Sequence, residues 1–180
     1  MPGRLRVTVA TVANSKGWWP VDANDLTARL AAVEDRLAII ELEALYASSF
    51  DSRDGAAWAT LFTTDGIYQA RGATPAAGNF VQGRDALARF CAEAPFDGMH
   101  LMHLPHLNFD GDRATSRIHL EFVAAFRADG SPTVRMVGFY DVAYVRSESR
   151  WLIARRVTTT MFRQDNVAHH YPQTSGLVDE

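Results

Sequence analysis

His100, His103 and His106 recur at intervals of three in the run GMHLMHLPHLNFDGDRAT (residues 98–115), so three of the chain's six histidines fall within seven positions. Imidazole has an ordinary pKa near neutrality, about 6.5, which suits it to accept and return a proton or to ligate a metal. A zinc or iron site needs ligands that converge on one point, commonly two histidines and a carboxylate. Pro105 argues against a helix here. In an extended strand His100 and His106 share a face while His103 points the other way. Such a strand offers two ligands six residues apart, too far for one ion, so no metal site is expected. The plain alternative for His103 and His106 is a polar residue at a sheet margin. His119, in RIHLEF, has the parity of an outward-facing residue or a subunit contact, and His169 and His170 fall in a polar tail.

Composition narrows the classes of function. A net charge of −3 gives no positive field for nucleic acid or anionic lipid, and the arginines are dispersed. A single cysteine, Cys91, excludes an internal disulfide framework and a multi-thiolate metal site. It lies in the helical pattern ALARFCAEA and reads as a small core residue. No stretch approaches the ~18 apolar residues of a membrane span. Two arginines before an apolar run at the N-terminus faintly echo a secretion signal, but no clean cleavage site follows, and a cytoplasmic protein is expected. At 180 residues, 47% of them hydrophobic, the chain can bury one sizeable core.

The elements that must position these histidines follow from periodicity. Leu26, Leu30, Val33, Leu37, Ile40 and Ala44 recur at steps of four and three, which predicts an amphipathic helix to about Phe50, capped by Asp22 or Asn24. DSRDG stops it, and AAWATLF forms a second short helix. IYQARG reads as a strand. After a Gly/Pro/Ala-rich loop, FVQGRDALARFCAEA reads as a short strand, a turn at Gly83 and a third helix. From Met99 the period falls to two. Long strands over roughly 113–127, 133–146 and 151–162 are separated by the hairpin signals ADGSP and SESR, and DGDR precedes them as another tight turn. Helices followed by an antiparallel meander indicate an α+β fold, with the helices covering one face of a curved sheet. The concave face of such a sheet is a natural apolar pocket, with Ile118, Leu120 and Phe122 on one strand and Met136, Gly138 and Tyr140 on the next facing one way.

The segments IIELEALYASSFDSRDGAAWATLFTTDGIYQARG, VQGRDALARF, MHLMHLPHLNFDGDRAT and VGFYDVAYVRSESRWLIARR, in that order and spacing over residues 24–163, resemble the SnoaL-like branch of the NTF2-like superfamily. Scytalone dehydratase, hexachlorocyclohexane dehydrochlorinase, bacterial bile-acid dehydratase and polyketide cyclases belong to that branch. The resemblance implies a cone-shaped α+β barrel, with three N-terminal helices packed on a strongly curved mixed or antiparallel sheet around a deep pocket. It implies that residues 1–23 are an extension and 164–180 a tail. It also implies an Asp–His dyad, with Asp51 of SSFDSRD and His100, ten positions before Asp110, as the catalytic pair. Tyr46, Tyr68, Tyr140 and Arg156 take the positions of substrate-binding residues. Where family members often carry Thr or Asn shortly after the histidine, this chain has His103 and Leu104.

A carboxylate bonded to one imidazole nitrogen fixes the tautomer and stabilises the imidazolium, as in serine-protease triads. The expected function is therefore a cofactor-independent lyase, a dehydratase or a related elimination, acting on a hydrophobic aromatic or polycyclic small molecule. An isomerase or cyclase starts from the same proton transfer. A non-catalytic binding subunit, like the β-subunits of ring-hydroxylating dioxygenases, is the alternative from another class. A homo-oligomer is expected, dimer or trimer, through an outer sheet face carrying Arg117, His119 and Glu121, with no nucleic-acid or membrane partner.

Overall fold

The computed structural model describes residues 23–71, 79–126 and 133–165. Three helices, α1 (Ala23–Asp51), α2 (Gly55–Thr60) and α3 (Arg84–Ala92), accompany seven strands. These are β1 (Phe62–Ala70), β2 (Phe80–Gln82), β3 (Phe96–Met102), β4 (His106–Asp110), β5 (Arg113–Phe126), β6 (Thr133–Ser147) and β7 (Arg150–Asp165). The Gly/Pro/Ala-rich loop, the ADGSP turn, Asp22, His169 and His170 lie outside the described residues. Asn24 falls inside α1 rather than at its cap. The chain divides into two compact units within α1, residues 1–35 and 36–180. The described part of the first is helical.

The strands form one sheet in the order β2-β1-β7-β6-β5-β3, with β4 also paired to β5. It is a curved, mixed sheet, because β1 runs parallel to β7 while the other pairings are antiparallel. The consecutive antiparallel meander runs from β4 to β7, and α3 follows β1 and β2 rather than preceding the sheet. The two-residue SESR turn pairs Ser147 with Arg150, and the DGDR turn pairs Asp110 with Arg113 around Gly111, whose φ of +55° suits glycine.

The three histidines do not share one strand. β3 and β4 lie end to end along the same edge of β5, pairing with its two halves, and residues 103–105 form the break between them. The His103 amide donates to the His119 carbonyl across the break, and Pro105, without an N–H, occupies a position where the ladder is interrupted. His103, His106 and His119 are exposed, whereas His100 turns inward from β3.

β5 alternates strictly between exposed and buried positions over its first eight residues, which puts Ile118, Leu120 and Phe122 into the core. The helix α1 differs from the periodicity reading. Leu26, Leu30, Val33 and Leu37 are more than half exposed, and the buried residues are Ile39, Leu42, Glu43, Tyr46 and Phe50. The helix carries apolar residues on two faces, and one sheet can cover only one. The covered face holds Tyr46 and Phe50, whose rings bury the largest areas. α2 is capped by Asp54, whose carboxylate accepts the Ala57 amide at 2.9 Å.

Candidate active site

Asp51 is the last residue of α1, and His100 lies in the middle of edge strand β3. One side of β3 is paired to β5, leaving main-chain groups on its other side open to a partner. Asp51 takes that place. Its Oδ2 accepts the His100 backbone N–H at 2.9 Å, and its Oδ1 lies 2.6 Å from His100 Nδ1. With both oxygens engaged, the carboxylate fixes the ring in the tautomer that carries its proton on Nδ1. Nε2 is then the acceptor, 3.0 Å from the Tyr140 hydroxyl, which donates to it. The result is a chain Tyr140–His100–Asp51.

The imidazole is 4% exposed and Asp51 22%. Phe122 stacks obliquely at 4.5 Å between centroids, and Phe50 and Tyr46 present edges at 5.4 and 5.8 Å. Phe122 reaches this position over Gly98, where an added Cβ would stand 2.4 Å from the ring. These rings wall a cavity of about 100 Å³, completed by Phe90 and Phe96. Its polar wall includes Tyr46, Tyr68, His100, Tyr140 and Thr158. Thr158 Oγ1 donates to the Tyr68 hydroxyl at 3.2 Å. Burial pushes the hydroxyls of Tyr46, Tyr68 and Tyr140 above the ordinary tyrosine range, so all three stay protonated and neutral, the Tyr140 proton being directed at His100 Nε2.

The structure brings together five of the six residues singled out in the sequence: His100, Asp51, Tyr46, Tyr68 and Tyr140. Arg156 stands apart. It is not in the cavity wall but fully buried behind it, with its guanidinium 3.6 Å above the Tyr46 ring centroid and 4.6 Å from that of Tyr140. Its Nη2 donates to both carboxylate oxygens of Glu43, at 2.6 and 2.5 Å. Burial alone would lower its pKa, but Glu43 overrides this and holds the guanidinium charged. Glu43 also accepts from the Tyr144 hydroxyl at 2.7 Å, and Ser116 Oγ lies 2.7 Å from that hydroxyl. Its neighbour Arg155 is exposed and donates to Gln69.

Glu43 was missed in the sequence. Its signal was there: it sits three residues before Tyr46 on the helix face that holds Ile39, Leu42 and Phe50, and a charge on a buried stripe requires a partner. Among the described residues no cluster of His, Cys, Asp and Glu is arranged to hold a metal ion, and no helix is long and apolar enough to cross a membrane.

Residues 31–157 match the SnoaL-like domain. The chain belongs to the SnoaL-like family. This SnoaL-like chain is 27% identical over 135 residues to an uncharacterized protein of Mycobacterium tuberculosis strain H37Rv, covering 75% of this chain and 91% of that one. Among solved structures it is similar to an NTF2-like protein with a cystatin-like fold from Novosphingobium aromaticivorans (27% identity, TM-score 0.66, 78% of this chain and 90% of that chain). Two further likenesses fall below 25% identity and speak to the fold. One is the hexachlorocyclohexane dehydrochlorinase of Novosphingobium barchaimii (15% identity, TM-score 0.69, covering 80% and 98%). The other is a candidate scytalone dehydratase of N. aromaticivorans (21% identity, TM-score 0.65, covering 83% and 99%).

Proposed function

We propose that this SnoaL-like chain is a lyase that removes a proton from carbon and expels a β-leaving group, most simply hydroxide, from a compact hydrophobic ring compound. The observation that carries the reading is the His100 imidazole held by both oxygens of Asp51 inside a cavity walled by aromatic rings. Asp51 orients the ring and balances the imidazolium that forms when His100 takes up a proton. The hydroxyls of Tyr46 and Tyr68 serve as donors to the carbonyl oxygen on which negative charge develops. Arg156 acts at one remove, holding the Tyr46 and Tyr140 rings from behind. No step of this chemistry calls for a redox or metal cofactor.

A cavity of about 100 Å³ is small beside the roughly 300–1,000 Å³ of common ligand pockets, which supports a single-ring substrate rather than a polycyclic one. The fold shared with a dehydrochlorinase and a candidate dehydratase supports the class of reaction. Conversion of 3-hydroxycyclohexanone to cyclohexenone, followed by absorbance, tests it directly. His100→Ala and Asp51→Asn should each lower turnover by about 10²–10⁴-fold with the fold intact. Turnover unchanged in either variant, or none by the wild type on this ketone and its 3-chloro analogue, would refute the proposal. Rearranged product without loss of water or halide would instead mark an isomerase.

A further inference from the structure

We propose that Tyr140, not His100, is the residue that meets the substrate's proton, its hydroxyl relaying that proton to His100 Nε2. The inference rests on the lyase reading above and adds a catalytic residue to it. In the tautomer fixed by Asp51 the imidazole has a single acceptor lone pair, on Nε2, and the Tyr140 hydroxyl occupies it at 3.0 Å. A substrate C–H can reach His100 directly only by breaking that bond, which would cost the buried hydroxyl its acceptor. Tyr140 itself lines the cavity.

The phenol cannot easily swing aside. Tyr140 is 3% exposed; the Tyr46 ring meets it edge to face at 5.8 Å, and the Arg156 guanidinium lies 4.6 Å from its centroid. Nor does it work as a free phenolate, because burial holds its proton on. A concerted transfer satisfies both constraints.

As the α-carbon's proton passes to Tyr140 Oη, the Tyr140 proton passes to Nε2. The imidazolium formed is balanced by the Asp51 carboxylate. The C–H bonding pair becomes the new C=C bond, and the β-hydroxyl departs with its own bonding pair. On the return stroke Tyr140 protonates the departing hydroxide to water while Nε2 gives its proton back to Oη. The enzyme ends as it began, and the substrate has lost one water. One residue removing the proton and protonating the leaving group requires both on the same face of the ring, a syn elimination.

Three measurements on the full chain test this. The ¹⁵N shift of His100 Nε2 should move toward the free-acceptor value in Tyr140→Phe, which removes only the hydroxyl; an unchanged shift overturns the relay. Exchange of the acetophenone methyl protons into D₂O should fall in Tyr140→Phe by about 10²-fold or more, comparably to His100→Ala. Full exchange in Tyr140→Phe alongside loss in His100→Ala overturns the relay but leaves His100 as a direct base. Full exchange in His100→Ala overturns the lyase reading itself. The third measurement needs no variant: 3-hydroxycyclohexanone dehydration by the wild type should slow in D₂O, falling along a straight line in H₂O–D₂O mixtures, because the abstracted proton comes from carbon and the Tyr140 proton is the single solvent-exchangeable one in flight. A rate unchanged in D₂O overturns the relay.

Discussion

Glu43→Gln tests how the Glu43–Arg156 pair supports the site. The substitution keeps the shape of the side chain and an acceptor for Tyr144, and removes one charge. It leaves the Arg156 guanidinium at zero exposure, with Nε and Nη1 lacking hydrogen-bond partners and only the faces of Tyr46 and Tyr140 to balance it. Breaking a buried pair from one side costs about 3–5 kcal/mol. For a chain of this size each kcal/mol shifts Tm by roughly 2–4 °C, so the melting temperature should fall by about 6–20 °C. The double variant Glu43→Gln/Arg156→Met removes both charges and lays a flexible thioether over the two rings. It should recover more than about 1.5 kcal/mol relative to the sum of the single variants. Urea unfolding of the four proteins yields the cycle. Glu43→Gln within about 1 kcal/mol of wild type, or strictly additive single variants, would refute the account of Arg156 as a charge held by Glu43.

Three further outcomes are expected. Burial pushes the Cys91 thiol up to about 11, so alkylation by iodoacetamide should be very slow at pH 8 and accelerate between about pH 9 and 11; rapid labelling at pH 7.5 would contradict this. Because the raised value belongs to the folded state, the same group's contribution to stability is present below about pH 9 and lost as pH rises toward 11. We also propose that the chain self-associates through the outer sheet face, where Leu101 and Phe162 are about half exposed on the row that carries Glu121 and Val137. Phe162→Glu should lower the mass measured by light scattering, and a monomeric wild type would remove the proposal.

Local pattern was enough for the elements. Period-two alternation located β5 and β6 to within a few residues, because much of each strand buries alternate side chains, whereas β7, with Trp151, Leu152 and Ile153 buried in succession, was delimited by its apolar run after the SESR turn. The resemblance singled out Asp51, His100 and three tyrosines, since the order of short motifs along a chain survives when side chains between them change. What periodicity could not resolve was the choice between two apolar faces of α1, or the parallel pairing of β1 with β7, since both depend on partners remote in sequence.

Arg156 shows the same limit at the site. Its position in a strand near the pocket was legible, but whether a guanidinium reaches a ligand or an internal carboxylate depends on what stands opposite, and that is Glu43, 113 residues away. The hydroxyl on His100 Nε2 likewise arrives from a strand forty residues on. The sequence by itself determined which groups could carry a proton and roughly where each element runs, because propensity and periodicity are local. Only the tertiary structure decided which partner each nitrogen of His100 meets and which charge is spent on the scaffold, because hydrogen bonds and ion pairs are set by distances of a few ångströms between segments far apart in the chain.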